Sequence, residues 1–168
     1  MKAISLWQPW ATLMALGLKK IETRSWATKY RGPLLIHAAQ KIIQYLDLPF
    51  PLQCIFYPYK ALHYKDLQRG GIIATVNLID CVETNVRNSP EKPELFYGDY
   101  TPGRFMWITS NVRPFKKIIP YRGYQGLFNV ADEALRVCRV CGCSEFNACE
   151  GGCYWVEEDL CSACVGKG

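Results

Sequence analysis

The carboxyl-terminal part of the chain holds seven of its nine cysteines, and this concentration limits how that part can fold. They are Cys138, Cys141, Cys143, Cys149, Cys153, Cys161 and Cys164. Four of them form two CxxC pairs separated by nineteen residues: Cys138 with Cys141, and Cys161 with Cys164. Two such pairs are typical of a closed four-thiolate zinc site. We therefore predict that Zn²⁺ bound by these four thiolates holds the tail together, because a segment of about thirty residues has too small a core to fold alone.

The other three tail cysteines, Cys143, Cys149 and Cys153, have no assigned partner in this arrangement. Three interpretations stay open: core thiols, a second metal site completed by water or a carboxylate such as Glu150, or a different partition of all seven cysteines. An iron–sulfur cluster is a weaker alternative, because the tail lacks the tight CxxCxxC run of bacterial ferredoxins. We expect reduced thiols rather than disulfides, because the first residues do not form a secretion signal.

Sheet-forming runs dominate the rest of the chain. With 168 residues, 49% of them hydrophobic, the chain is long enough for one compact domain and a small appendage. Runs of β-branched and aromatic residues predict strands at residues 1–6, 32–39, 71–82 and 104–109. The fold class that this pattern favours is an α+β barrel. Because no run of eighteen apolar residues occurs, no membrane partner is expected and a cytoplasmic location is predicted.

Three smaller predictions concern residues elsewhere in the body. Prolines at positions 49, 51 and 58 predict a loop over residues 47–59. His63 is expected at the surface. Cys54 and Cys81 each stand alone among apolar residues and are predicted to be buried and unreactive.

A charged stretch near the amino end is the strongest candidate site. A proline in the first turn and a glycine after the last predict a helix over residues 9–16, and alternating side chains predict a strand over residues 20–26. Glu22 and Arg24 share one face of that strand, and Lys19 directly precedes it. An acid thus lies beside bases, an arrangement suited to binding or to proton transfer. A solvated ion pair on the sheet surface is the alternative interpretation.

Charge is divided unevenly along the chain. Residues 1–137 carry 18 Lys or Arg against 10 Asp or Glu, whereas residues 138–168 carry 2 against 5. A basic body with exposed aromatic residues is typical of nucleic-acid binding, since cationic side chains displace counterions from phosphates. Lysines that serve only solubility would give the same balance.

Several motifs in sequence order resemble the ASCH family, the activating-signal-cointegrator homology domains of the PUA-like superfamily. They are Ser-Leu-Trp-Gln-Pro-Trp at 5–10, Gly-x-Lys-x-x-Glu-x-Arg at 17–24, Tyr-Arg-Gly-Pro at 30–33, and later runs at 98–100, 103–107, 112–114 and 120–128. Some phage and bacterial members end in a similar cysteine-rich tail. The resemblance implies a small PUA-like β-barrel with peripheral helices over residues 1–137 and a zinc-ribbon-like appendage over residues 138–168. A helix-prone link at residues 130–136 agrees with that boundary.

The resemblance also implies a cleft between the first helix and the motif strand that binds RNA or a modified nucleoside. Its floor would consist of Ser5, Gln8, Lys19, Glu22 and Arg24. The cations suit phosphate or a carbonyl, the carboxylate suits an exocyclic amine, and Trp26, Trp7 or Trp10 suits stacking on a base. His37, inside an apolar strand, is interpreted either as a ligand-binding group of the cleft or as a hydrogen-bonded core residue.

Two further classes of function are kept as alternatives. Some ASCH members act as amidohydrolases on N4-acylated cytidines, and ribonuclease activity occurs in the wider family. In such a mechanism Glu22 would be the general base and Lys19 would stabilise the oxyanion, although Glu22 stands where those amidohydrolases have a threonine. Glu94 is a candidate second acid. The other alternative is a protein-interaction module, in which the acidic tail docks a partner and the barrel only carries it.

Overall fold

One mixed sheet forms the body of the chain. The computed structural model describes residues 1–56, 64–145 and 147–167, and within them six strands follow the order β2-β5-β4-β3-β1-β6. These strands are β1 (Lys2–Leu6), β2 (Ile21–Arg24), β3 (Gly32–Ala38), β4 (Gly71–Glu83), β5 (Phe105–Pro120) and β6 (Leu127–Asn129). β1 and β3 are parallel, and the other neighbouring strands are antiparallel. The sheet forms a half-barrel with few helices, which confirms the predicted α+β class.

β5 is much longer than the strand predicted for it. The predicted strand ends at Thr109, whereas β5 continues through Asn111 and Pro114, which are poor strand residues. Asn111 has a φ of 50°, and the pairing with β4 shifts register at three places, so these irregularities absorb the unfavourable residues without ending the strand. One end of β5 pairs with β2, and the other approaches the cysteine-rich tail.

The helix predicted over residues 9–16 is present as α1 (Trp10–Ala15). It ends before Gly17, which has a φ of 71°, a left-handed conformation that glycine adopts without strain. Leu13 and Met14 are both 1% exposed and face the core, whereas Trp10 is only partly buried. The helix packs across β3 and β4 and covers the main apolar core, to which β3 contributes the alternating residues Leu34, Ile36 and Ala38.

The middle of the chain differs from the prediction. A helix, α2 (Phe50–Phe56), occupies part of the loop predicted over residues 47–59, because prolines are tolerated in the first turn of a helix. Cys54 is exposed on this helix rather than buried, whereas Cys81 is half-buried against the main core. His63 lies outside the described residues. No helix in the described ranges is long and apolar enough to cross a membrane.

The tail has its own small sheet and docks beside β5. In the tail, β7 (Trp155–Glu157) and β8 (Leu160–Cys161) pair antiparallel. A 3₁₀ turn at Asp132–Leu135 occupies the predicted link that precedes the tail. The Lys116 ammonium group on β5 donates to two tail carbonyls, at 3.2 and 3.1 Å. The domain boundary near residue 137 stays a prediction.

Candidate functional site

A cavity of about 550 Å³ lies between the end of β1, the start of α1 and β2. A 3₁₀ turn at Glu94–Tyr97 forms another of its walls. The predicted site residues that line it are Ser5, Lys19, Glu22 and Arg24. Its volume lies within the range of small-molecule sites, about 300–1,000 Å³. The structure therefore brings the predicted charged stretch to one concave surface.

Lys19 is a buried cation in the wall of this cavity, and only 2% of the residue is exposed. Its ammonium group donates to the carbonyl of Ile21 and, at 2.9 Å, to the carbonyl of Tyr97. The Glu22 carboxylate lies 3.5 Å from the same nitrogen. The three N–H donors of the ammonium group thus have acceptors nearby. A charge at this depth is tolerated because it is paired and hydrogen-bonded.

Glu22 lies between two cations. Its Oε2 is 3.5 Å from the Lys19 nitrogen, and its Oε1 is 3.3 Å from Arg24 Nε. That Nε atom is buried, and its contact with the carboxylate is an ion pair without hydrogen-bond geometry. The Arg24 guanidinium also donates through Nη2 to the backbone carbonyl of Ser5, at 2.9 Å. These contacts orient the guanidinium toward the end of β1.

A second arginine–carboxylate pair, which sequence reasoning missed, lines the same cavity. Arg104 Nε is 3.4 Å from Asp99 Oδ2, and Arg104 Nη2 donates to the carbonyl of Thr23 at 3.3 Å. The backbone N–H of Thr101 lowers the pKa of the Asp99 carboxyl, against the smaller opposing effect of desolvation, and so favours its ionised form. The described lining thus contains three cations and two carboxylates. The only signal for this pair was that its segments belong to the family motifs, which assigned neither residue a role.

Aromatic side chains cover another part of the described lining: Trp7, Trp10, Phe96 and Tyr97. Trp7 is 48% exposed, and Lys41 Nζ lies 3.9 Å from the centroid of its ring. Trp26 instead packs at right angles against Trp107 on the main core, with 4.7 Å between ring centroids. The predicted stacking role therefore suits Trp7 better than Trp26, because Trp7 lines the cavity and is about half exposed, whereas Trp26 is packed on the core.

The side chains of Ser5 and His37 meet on paired positions of β1 and β3. The Ser5 hydroxyl donates to His37 Nδ1 at 3.1 Å, and His37 Nε2 donates to the carbonyl of Tyr121 at 2.9 Å. Ser5 thus offers Arg24 its carbonyl, while its hydroxyl is engaged by the histidine. His37 is 2% exposed, and burial lowers its pKa, with partial opposition from the Tyr121 bond. This placement supports the core interpretation of His37 and gives no support to its predicted role in ligand binding.

Two other candidates hold backbone segments in place. Gln8 is 0% exposed, and its amide donates to the carbonyl of Gln68 at 2.6 Å and accepts from the N–H of Thr12 at 3.1 Å. It therefore fixes the first turn of α1 beside the cavity. Glu94 likewise accepts from the backbone N–H groups that begin β2. These contacts indicate positioning roles rather than the ligand-binding and acid roles predicted for them.

The tail cysteines form one cluster in which sulfur dominates the core. The four most buried, each 5% exposed or less, are Cys138, Cys143, Cys161 and Cys164. Four sulfur–sulfur contacts in the cluster lie between 3.6 and 3.9 Å. A tetrahedral zinc site with Zn–S bonds of about 2.3 Å has edges of about 3.8 Å. The cluster can therefore hold a metal ion, by distance and by donor type.

Two sets of four cysteines bring their sulfur atoms within 4.8 Å of one another. The first set is Cys138, Cys141, Cys143 and Cys161, and the second is Cys143, Cys149, Cys153 and Cys161. The first set contains three of the four predicted zinc ligands, with Cys143 in the place of Cys164. Burial alone would raise the pKa of the Cys138 thiol, but the backbone N–H groups of Cys141, Cys161 and Val140 lower it to about 5. The thiolate, which is the metal-binding form, is thereby favoured at this position.

Comparison with known proteins agrees with this architecture. Residues 4–119 match the family model of the ASCH domain. Activating signal cointegrator 1 is 29% identical over 126 residues in Homo sapiens and 35% identical over 126 residues in Mus musculus. The match covers 71% of this chain and 20% of each relative, so the chain spans about a fifth of the length of these curated relatives. A crystal structure of ASCH from Zymomonas mobilis superimposes with a TM-score of 0.51 at 17% identity, covering 80% of this chain and 90% of that chain.

The half-barrel with few helices is a small mixed-sheet domain that matches the ASCH fold. The family-model match extends over more than half of the chain. The chain therefore belongs to the ASCH domain family, which confirms the resemblance seen in its motifs.

Proposed function

We propose that the cavity binds RNA or a modified nucleoside and that the tail binds zinc. The observation that carries the first part is the lining, which combines three cations, two carboxylates and four aromatic side chains around about 550 Å³. Guanidinium groups recognise phosphate, whereas unpaired bases are held by stacking and by hydrogen bonds to their edges. This lining supplies both kinds of contact in one place.

The two arginines are the groups best suited to contact phosphate. The side chains of Arg24 and Arg104 are 26% and 29% exposed, and a carboxylate lies 3.3 or 3.4 Å from each Nε. A guanidinium has five N–H donors, so these contacts orient it and leave donors for a ligand. Lys19 is enclosed, and its charge contributes to the positive potential of the cavity rather than to direct contact. Trp7 at the exposed side is the stacking surface.

The hydrolase alternative has less support from the contacts. Lys19 would have to release backbone carbonyls before it could approach a reacting oxygen. Glu22, with 13% of its side chain exposed, is the group that a hydrolytic mechanism would use as general base. Incubation with N4-acetylcytidine and with RNA tests this alternative. If the wild type forms product and Glu22→Gln does not, the function of the cavity is catalysis rather than binding alone.

For the tail, the donor set supports zinc. Cys138, Cys141, Cys143 and Cys161 would hold the ion, and four thiolates leave no open position for chemistry. Bound zinc would contribute folding free energy to a unit whose core is mostly sulfur. Metal analysis of the purified chain is the test, and iron with acid-labile sulfide in place of zinc would contradict the proposal. A protein partner for the acidic tail stays a prediction.

Fluorescence anisotropy with a labelled single-stranded RNA tests the cavity proposal. Arg104→Gln removes one cavity cation and should weaken binding about tenfold, the equivalent of one charge-assisted contact. Its loss should also make the slope of log affinity against log salt shallower by about 0.7, as expected for one phosphate contact. Unlabelled cytidine and acetylcytidine should compete if the base itself enters the cavity.

Arg87→Gln is the matched control, because Arg87 is exposed in a loop apart from the cavity lining. The control should bind as the wild-type chain does. Equal losses in the two variants would mean that RNA binds through general surface charge. That result, or no binding at low salt, would overturn the assignment of the cavity.

A further inference from the structure

The two sets of metal-capable cysteines overlap in a specific way. They share Cys143 and Cys161, and together they comprise six of the seven tail cysteines. Two independent four-thiolate sites would need eight cysteines, which is more than the tail contains. If both sets are filled, some sulfur atoms must therefore contact two metal ions.

Burial separates the shared cysteines from most of the others. Cys143 is 0% exposed and Cys161 is 1% exposed, whereas Cys149 and Cys153 are half-buried. Bridging sulfur atoms lie at the centre of a two-metal cluster, and terminal ones lie at its periphery. Of the four cysteines that are not shared, Cys141, Cys149 and Cys153 are half-buried, whereas Cys138 is as deeply buried as Cys161. Burial therefore agrees with the sharing at three of these four positions.

Backbone hydrogen bonds reach the outer sulfur atoms. The N–H of Cys143 donates to Cys141 Sγ at 3.5 Å, and the N–H of Cys149 donates to Cys153 Sγ at 3.4 Å. Such donors stabilise negative charge on thiolates that have only one metal neighbour. Six thiolates around two Zn²⁺ ions carry the same net charge, −2, as four thiolates around one. A second ion therefore uses two more cysteines without adding net charge.

We propose that the tail binds two zinc ions through six thiolates, with Cys143 and Cys161 bridging the ions. Cys138 and Cys141 complete one tetrahedron, and Cys149 with Cys153 completes the other. No electron transfer is involved, and each ligand releases its proton on binding. This inference rests on the proposed zinc binding and extends it from one ion to two.

Native mass spectrometry of the full chain, reconstituted with Zn²⁺, measures the stoichiometry directly. We expect two ions per chain in the wild type and in Cys164→Ser, since Cys164 belongs to neither set. Cys153→Ser should bind one ion, because only the second tetrahedron loses a ligand. Cys54→Ser, on the exposed face of α2, is the control and should bind two.

The cadmium-loaded chain gives a second readout that does not depend on any variant. Two ¹¹³Cd signals with a mutual scalar coupling are expected, because coupling passes through shared sulfur. One ion per wild-type chain would overturn the two-ion cluster and leave zinc binding intact. Loss of an ion in Cys164→Ser would overturn the six-thiolate assignment in favour of the CxxC pairs. No bound metal would overturn both proposals.

Discussion

At the scale of single residues, buried polar side chains fix the backbone around the cavity. Gln8, Lys19 and His37 are each 2% exposed or less, yet each is hydrogen-bonded to a distant segment of the chain. An unpaired polar group at such depth costs about 1–3 kcal/mol. These three residues therefore stabilise the fold, and replacing them affects stability before it affects binding.

His37 should make the stability of the protein depend on pH. Burial lowers the pKa of its ring below the usual value of about 6.5, so the unfolded chain takes up this proton at a higher pH than the folded chain does. The contribution of neutral His37 to the free energy of unfolding is fully present above about pH 6.5 and is lost as the pH falls below that value. Urea unfolding at about pH 7.5 and pH 5.5 should show a larger loss of unfolding free energy in the wild type than in His37→Gln.

The comparison of the wild type with His37→Gln cancels other effects of acid on stability, such as metal release from the tail, because both proteins share them. A glutamine side chain at this position would keep hydrogen-bonding capacity without a titrating ring. Parallel pH profiles for wild type and His37→Gln would contradict a lowered pKa for this histidine.

At the scale of elements, the turn at Glu94–Tyr97 connects the cavity wall to β2. The Glu94 carboxylate accepts from the backbone N–H groups of Lys20 and Ile21, at 2.8 and 3.1 Å, and from the Tyr100 hydroxyl at 3.1 Å. Burial, and then the charge of Glu94, raises the pKa of Tyr100, so this hydroxyl stays a donor at neutral pH. The following residues of the turn line the cavity. The Glu94 carboxylate thus connects the turn that lines the cavity to the start of β2.

Glu94→Gln should loosen this wall. The amide keeps one acceptor oxygen where the carboxylate has two, and we expect a destabilisation of about 1–2 kcal/mol. Hydrogen exchange at the amides of Lys20 and Ile21 should become faster, which NMR can follow residue by residue. Glu91→Gln, an exposed neighbour, is the control and should change stability by less than about 0.5 kcal/mol. Unchanged exchange at both amides in Glu94→Gln would show that the carboxylate does not hold β2.

At the scale of the whole molecule, polar contacts join the body to the tail. Arg136 donates to the carbonyls of Glu157 and Glu158, at 2.7 and 2.5 Å, and its guanidinium lies 4.4 Å from the Trp155 ring centroid. The body has an apolar core, whereas the core of the tail is mostly sulfur. Because exposed polar contacts contribute little, we expect the two cores to have separate stabilities.

Metal removal should therefore unfold the tail alone. After treatment with a strong chelator under reducing conditions, NMR signals of residues 138–167 should lose their dispersion while those of the sheet keep theirs. The unfolding free energy of the body should change by less than about 1 kcal/mol, measured by urea titration. Deletion of residues 138–168 should reproduce this result. Collapse of the sheet signals in either sample would instead make the tail an essential support of the barrel.

Local patterns predicted most of the strands and part of the site, and tertiary packing decided the rest. Gly17 marked the end of α1, and alternation placed Glu22 and Arg24 together, because both signals act within a few residues. Arg104 reaches the same cavity from a segment about eighty residues away, so no local pattern reveals it. Cys143 replaced Cys164 in the first metal-capable set for a similar reason, since the choice depends on how the tail folds.

The position of β2 has a practical consequence. It has four residues and lies at the end of the strand order, where β5 is its one sheet neighbour within the described ranges. A strand bound along a single flank separates more easily than an interior one. A compound bound in the cavity would connect this strand to the opposite wall, and it would raise the melting temperature by an amount that grows with the ratio of ligand concentration to dissociation constant. Thermal-shift screening of a nucleotide collection would therefore rank nucleotides by their affinity for the proposed site.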